Sequence, residues 1–186
     1  ANALIGNPKY KITEGEILFE GKDVLGLKPE EIAKLGIMMS FQYPLAIPGV
    51  TVREMLLTSL RSKGLTVGAL DLKNQIAKEG EKLHIDSTLL SRSLNEGFSG
   101  GEKKKFEILQ MRILKPKLLV LDEVDSGLDI DALALIATNV KEMVRETGMG
   151  VLVITHYQRL LKYLEPDRVL ILKEGVVVDR GGKEIV

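Results

Sequence analysis

The stretch KLLVLDE, Lys117–Glu123, decides the fold. Its apolar run is unbroken but too short for a buried helix, so it reads as a strand covered on both faces. It closes on two adjacent carboxylates, Asp122 and Glu123. Next comes an amphipathic helix over Asp129–Thr147, with Leu133, Ile136, Val140 and Val144 placed to point inward and Gly148 to stop it. GVLVITH (Gly150–His156) then repeats the strand pattern and ends on histidine, and GIMMSFQ (Gly36–Gln42) is a third short apolar run, ending on glutamine. Apolar strands separated by helices imply a parallel sheet flanked by helices, an α/β fold.

The remaining segments fit around that sheet. EGEILFEGKDV (Glu14–Val24) reads as a hairpin turning near Gly21, and DRVLILKEGVVVDRG (Asp167–Gly181) as another turning at Glu174–Gly175. KPEEIAKLG (Lys28–Gly36) is a short helix with proline early and glycine at its end. ANALIG (Ala1–Gly6) reads as the tail of a helix. Between Pro44 and Ile113 the texture is helical and polar-faced: helices are expected over Val52–Lys63 and Asp71–His84, and a third from Ser99, with Phe106, Leu109 and Ile113 on one face. The expected organisation is a single domain over 1–186, with an α/β core (1–43 and 114–186) and an inserted helical subdomain (44–113).

With 186 residues, 45% of them hydrophobic, the chain can bury one sizeable core. Lysines and arginines number 26 and so do the acids, so no global field draws it to nucleic acid or an anionic membrane. No run is long and apolar enough to suggest membrane insertion. There is no cysteine, hence no thiolate for a metal–sulfur cluster, and a cytoplasmic setting is expected.

Ligands of open parallel sheets bind beyond the carboxyl ends of the strands, and three strands here end on Gln42, on Asp122 with Glu123, and on His156. One carboxylate at such a point can hold Mg²⁺ and its neighbour can deprotonate an attacking water, while glutamine and histidine position that water. LNEGFSGGEKKKFEILQ (Leu94–Gln110) places Ser99, Gly100 and Gly101 at the start of a helix, a backbone arrangement suited to phosphate. Each feature alone also has a plain structural reading: a solvated loop entry, a turn, an exposed helix face. His84 reads as structural, at a helix end where a cation suits the partial negative charge. The run Lys103–Lys105 reads as a solvated face, with Lys103 and Lys104 exposed and Lys105 placed to support a nucleotide interface.

Taken in order, Gln42, FSGGE (Phe98–Glu102), LLVLDE, SGLD (Ser126–Asp129) and His156 resemble the motif series of ABC-type ATPases, and the resemblance covers essentially the whole chain. It implies a P-loop NTPase-type fold and the cofactors ATP and Mg²⁺. It casts Gln42 as the Q-loop residue, touching both metal and attacking water, Asp122 as the magnesium-side carboxylate, Glu123 as general base and His156 as switch histidine. Ser99, Gly100, Gly101 and Glu102 become the signature and Asp129 part of the D-loop. In this family the signature of one subunit faces the γ-phosphate held by its twin, so self-association in an ATP-dependent head-to-tail dimer is implied. FQYPLAIPGV, DSGLDIDAL and ITHYQRLLKYL resemble more narrowly the SUF-system iron–sulfur cluster assembly ATPase, SufC, which implies SufB and SufD as partners and thiolates supplied by them. The alternatives are an ABC transporter ATPase subunit, or a non-catalytic module that donates its signature to a complete partner.

The loop G-x-x-x-x-G-K-S/T, which cradles the β- and γ-phosphates, does not occur in these residues. The resemblance places Ala1 just past that loop and the GGKEIV end before a final helix. The expectation is therefore an N-terminally incomplete cassette that hydrolyses little ATP by itself.

Overall fold

Strand β6 (Leu118–Asp122) is the middle of a parallel sheet, between β3 (Ile37–Ser40) and β7 (Gly150–Ile154). The computed structural model describes residues 1–40, 44–126 and 128–185. Pairing runs from Ile37 opposite Leu118 to Ser40 opposite Leu121 on one side, and from Leu118 opposite Gly150 to Asp122 opposite Ile154 on the other. Side chains alternate along a strand, so β6 serves two cores. Leu119 and Leu121 enter the larger apolar cluster, while Val120 packs with Ile32 and Ile37 in a smaller one that also receives Leu4, Phe19 and Leu27.

The smaller cluster lies under α1 (Pro29–Leu35), which starts with proline and ends at Gly36 with φ 102°. A hairpin of β1 (Leu18–Phe19) and β2 (Lys22–Asp23) turns through Glu20 and Gly21, both at positive φ, and Glu20 pairs with Lys117 just before β6. Residues 1–7 form turns rather than the expected helix tail. Their hydrogen bonds are nonetheless those of a Schellman closure: Gly6 N–H donates to Ala3 O and Asn7 N–H to Asn2 O, with Gly6 left-handed.

The larger cluster joins β6 to the helices. Between β3 and β6 lie the paired strands β4 (Ile47–Thr51) and β5 (Ser93–Leu94) and the helices α2 (Val52–Ser62), α3 (Ala69–Lys82) and α4 (Gly100–Leu114). α4 differs from the one-faced helix expected, because Ile108 and Met111 are buried as well as Phe106, Leu109 and Ile113. It runs through the interior, with its Phe106 stacked on Phe98. α5 (Ile130–Thr147) follows β6 and buries Leu133, Ile136 and Val140, but Val144 is exposed and Met143 takes the inward place. Its stripe is thus turned by one residue from the expected one. Arg112 of α4 donates to Asn139 Oδ1 at 2.7 Å and pairs with Glu142, fastening α4 to α5.

β7 is an edge of the sheet among the described residues and leaves Leu152 exposed, although its sequence reads as buried. α6 (Gln158–Leu164) follows it and seats Leu160 in the core. The hairpin of β8 (Val169–Lys173) and β9 (Val176–Gly181) turns at Glu174–Gly175, both at positive φ. No helix of the described residues is long and apolar enough to cross a membrane.

Candidate active site at the carboxyl end of the sheet

The pairing of β6 with β7 sets the site. Asp122 and Ile154 are the last partners, so the residues beyond them, Glu123 and Thr155–His156, leave the sheet side by side. Glu123 N–H donates to Ile154 O at 2.8 Å and extends the ladder one step past the strands. Its φ of 50° is left-handed, a conformation that costs a non-glycine residue about 1–2 kcal/mol. In that pose its Oε1 stands 3.0 Å from His156 Nε2. The roles in this contact follow the imidazole tautomer: the tautomer with its hydrogen on Nε2 donates to the carboxylate oxygen. The Glu123 side chain is 39% exposed and that of His156 77%, so the pair is open to an incoming ligand.

Asp122 sits half-buried beside them and accepts no hydrogen bond among the described residues. Among the described residues no group of three or more potential protein ligands could enclose a metal. A single carboxylate nevertheless suits Mg²⁺, which keeps waters and binds through one or two carboxylates plus phosphate oxygens. Gln42, expected to complete this end of the sheet, lies outside the described residues.

The signature residues lie at the start of α4. Ser99 is the N-cap of α4: its hydroxyl accepts from Glu102 N–H at 3.3 Å, and its own N–H donates to Glu102 Oε2 at 2.7 Å. That backbone bond, with the Ser99 hydroxyl, holds the Glu102 carboxyl below its ordinary range. Gly100 and Gly101 are exposed, without positive φ, and a Cβ at either would meet nothing within 4 Å. The chain's own packing therefore does not require glycine at either place. No hydrogen bond joins these residues to Glu123 or His156 among the described residues. Asp129 caps α5, its Oδ1 accepting from Ala132 N–H at 2.7 Å.

Two features escaped the sequence. Lys104 is buried, not exposed: it is 7% accessible and donates to Oε2 of the equally buried Glu107 at 3.0 Å, while Ser40 Oγ donates to Glu107 Oε1 at 2.6 Å. Lys105 instead donates to His84 O, and His84, two residues past the end of α3, is left-handed. The second is Asp125, 1% exposed, whose Oδ2 accepts from Thr155 Oγ1 at 2.6 Å.

A family model described as ABC transporter matches residues 1–126 of the chain. The chain belongs to the ABC transporter family. Its similarity extends to a "Probable ATP-dependent transporter" of Synechocystis sp., 45% identical over all of this chain and 74% of that protein. "Vegetative protein 296" of Bacillus subtilis is 44% identical over 98% of this chain and 71% of the relative. Among solved structures, the ATP-binding cassette MJ0796, in a dimeric post-hydrolysis state bound to ADP and Pi, superposes with a TM-score of 0.75 over 92% of this chain and 74% of that one, at 22% identity. That last likeness shows the fold. The ABC cassette architecture implied by the resemblance of the motif series is the one found.

Proposed function

We propose that this ABC-family chain carries the hydrolytic residues of an ATPase subunit and, for a second copy, the signature that completes a nucleotide site. The observation that carries the reading is the 3.0 Å contact between Glu123 and His156 beyond the last partners of β6 and β7. Glu123 takes the proton of a water as its oxygen bonds to the γ-phosphorus; the bond to the bridging oxygen breaks and ADP leaves. His156 holds the Glu123 carboxylate by its Nε2–H and faces the γ-phosphate with its exposed ring. Asp122 would hold Mg²⁺, which supplies charge neutralisation to the phosphates when bound. Gln42 takes its role, touching metal and attacking water, from the motif resemblance alone.

The unforced glycines support the second role. A surface glycine that its own fold does not need leaves room for another molecule to approach the backbone, and the α4 N-terminus favours an anion. Ser99, Gly100, Gly101 and Glu102 then face a phosphate held by the twin, with Asp129 in the loop between the two subunits. Complementation tests this in the intact protein. Glu123→Gln lacks the base and Ser99→Arg lacks the signature, and each alone is inactive. Mixing them in equal amounts restores roughly a quarter of wild-type turnover, since half the dimers are mixed and each mixed dimer has one complete site. No recovery on mixing would show the signature acting within its own chain.

For the partner class, the relatives' names favour an ATP-binding subunit of a transporter, coupled to membrane proteins. The SUF reading, with SufB and SufD as partners in the cytoplasm, rests on FQYPLAIPGV, DSGLDIDAL and ITHYQRLLKYL and on the absent cysteines. Purification of the tagged protein without detergent separates the two: soluble scaffold subunits at equal stoichiometry support SUF, and recovery of partners only from detergent-solubilised membranes supports transport.

A further inference from the structure

Asp125 is the one acid of the EVDSG segment that the site above does not use, and it is buried. Its Oδ2 accepts the Thr155 hydroxyl, while its Oδ1 is buried with no partner among the described residues. An unmatched buried carboxylate oxygen costs stability. Thr155 is equally occupied. Its hydroxyl donates to Asp125 and accepts from Tyr157 N–H at 2.9 Å, a turn with His156 at its tip.

We infer that Asp125 and Thr155 are positioning residues for His156. The inference rests on the hydrolytic reading of Glu123 and His156. Two ties join the loop after β6 to the loop after β7, one on each side of the contact. Glu123 N–H to Ile154 O at 2.8 Å fixes the carboxylate side, and Thr155 Oγ1 to Asp125 Oδ2 at 2.6 Å fixes the histidine side. Between them His156 has a largely exposed ring whose one hydrogen-bond partner among the described residues is Glu123. A side chain so exposed is not held by packing, so its aim depends on the backbone beneath it. That backbone is bracketed by the Thr155 hydroxyl, and the hydroxyl is oriented by Asp125, whose Oδ2 accepts its hydrogen at 2.6 Å.

The test uses the two histidines of the chain, His84 and His156, as probe and internal control. In ¹H–¹⁵N spectra of the imidazole nitrogens, His156 shows one tautomer, protonated on Nε2. Thr155→Val keeps the β-branched shape and removes the hydroxyl; the His156 signals then move to the tautomer-averaged position while those of His84 stay. Thr155→Ser restores them. In the intact protein Thr155→Val lowers kcat for ATP by roughly 10- to 100-fold, the scale of a misplaced catalytic group, with KM within about twofold of wild type. Asp125→Asn acts in the same direction, and the double variant is no worse than the poorer single one. His156 signals unchanged in Thr155→Val, or a loss that Thr155→Ser does not restore, would overturn the inference. Glu123→Gln separates this from failure of the underlying reading: full turnover in that variant removes the hydrolytic assignment, whatever Thr155→Val does to the His156 signals.

Discussion

Replacing Glu107 with alanine tests whether the interior is wired as described. Glu107 lies between two donors: Lys104 Nζ at 3.0 Å on its own helix and Ser40 Oγ at 2.6 Å at the end of β3. Both members of the ion pair have side chains only 9% exposed. Glu107→Ala leaves a buried ammonium with no anion and a buried hydroxyl with no acceptor among the described residues. Breaking a buried pair from one side costs about 3–5 kcal/mol, and each kcal/mol moves the melting midpoint of a chain this size by about 2–4 °C, so the loss should be roughly 6–20 °C. Lys104→Met with Glu107→Met removes both charges and should recover most of it, because a buried pair replaced by apolar groups of similar volume is often neutral. The assay is thermal unfolding by circular dichroism, at low salt and at about 1 M salt, where charges more than ~3 Å apart in water are screened. A fall below about 2 °C for Glu107→Ala, or one that disappears in high salt, would refute the reasoning, since a solvent-exposed pair is worth only ~0–1 kcal/mol.

Gly101→Ala should separate folding from function: the added Cβ meets nothing, so helix propensity raises stability by about 0.5–1 kcal/mol, while ATP-dependent dimerisation, followed by light scattering, weakens. Removing the α5 cap with Asp129→Ala should cost about 1 kcal/mol in denaturant unfolding. Acid should unfold the protein partly through its capping boxes. The Thr51 backbone N–H holds the Glu54 carboxyl below its ordinary 4.5, so this stabilisation is present above that value and is lost as pH falls through the lower folded one. Melting midpoints taken from about pH 5.5 to about pH 3 should therefore drop more steeply for the wild type than for Glu54→Gln.

The sheet was legible because β3 and β6 obey the rule that doubly covered strands are apolar throughout, and both hairpins were legible from a glycine at the second turn position. What escaped reading depended on contacts distant in sequence. A Lys-Lys-Lys run reads as surface, and Lys104 is buried only because Glu107 lies one helical turn on and Ser40 arrives from 67 residues away. Asp125 has no reading of its own in the sequence, and its burial follows from the register that brings Thr155 alongside it. The expected burial of β7 failed because continuous apolarity shows that both faces of a strand can be covered, not that both are. The inward turn of Met143 in place of Val144 reflects the same limit for a helix whose apolar positions fill more than one stripe. At the site, Glu123 and His156 were named from their strand ends, but their direct contact needed the left-handed turn at Glu123.

The most direct measurement of the central claim is ATP turnover alongside ATP-dependent dimerisation in Glu123→Gln of the intact protein. Removing a general base should lower turnover by roughly 10²- to 10⁴-fold, while the dimer, which needs the nucleotide and the signature but no proton transfer, still forms and lasts longer because its ATP is not consumed. Turnover equal to wild type would contradict the account and place the base elsewhere.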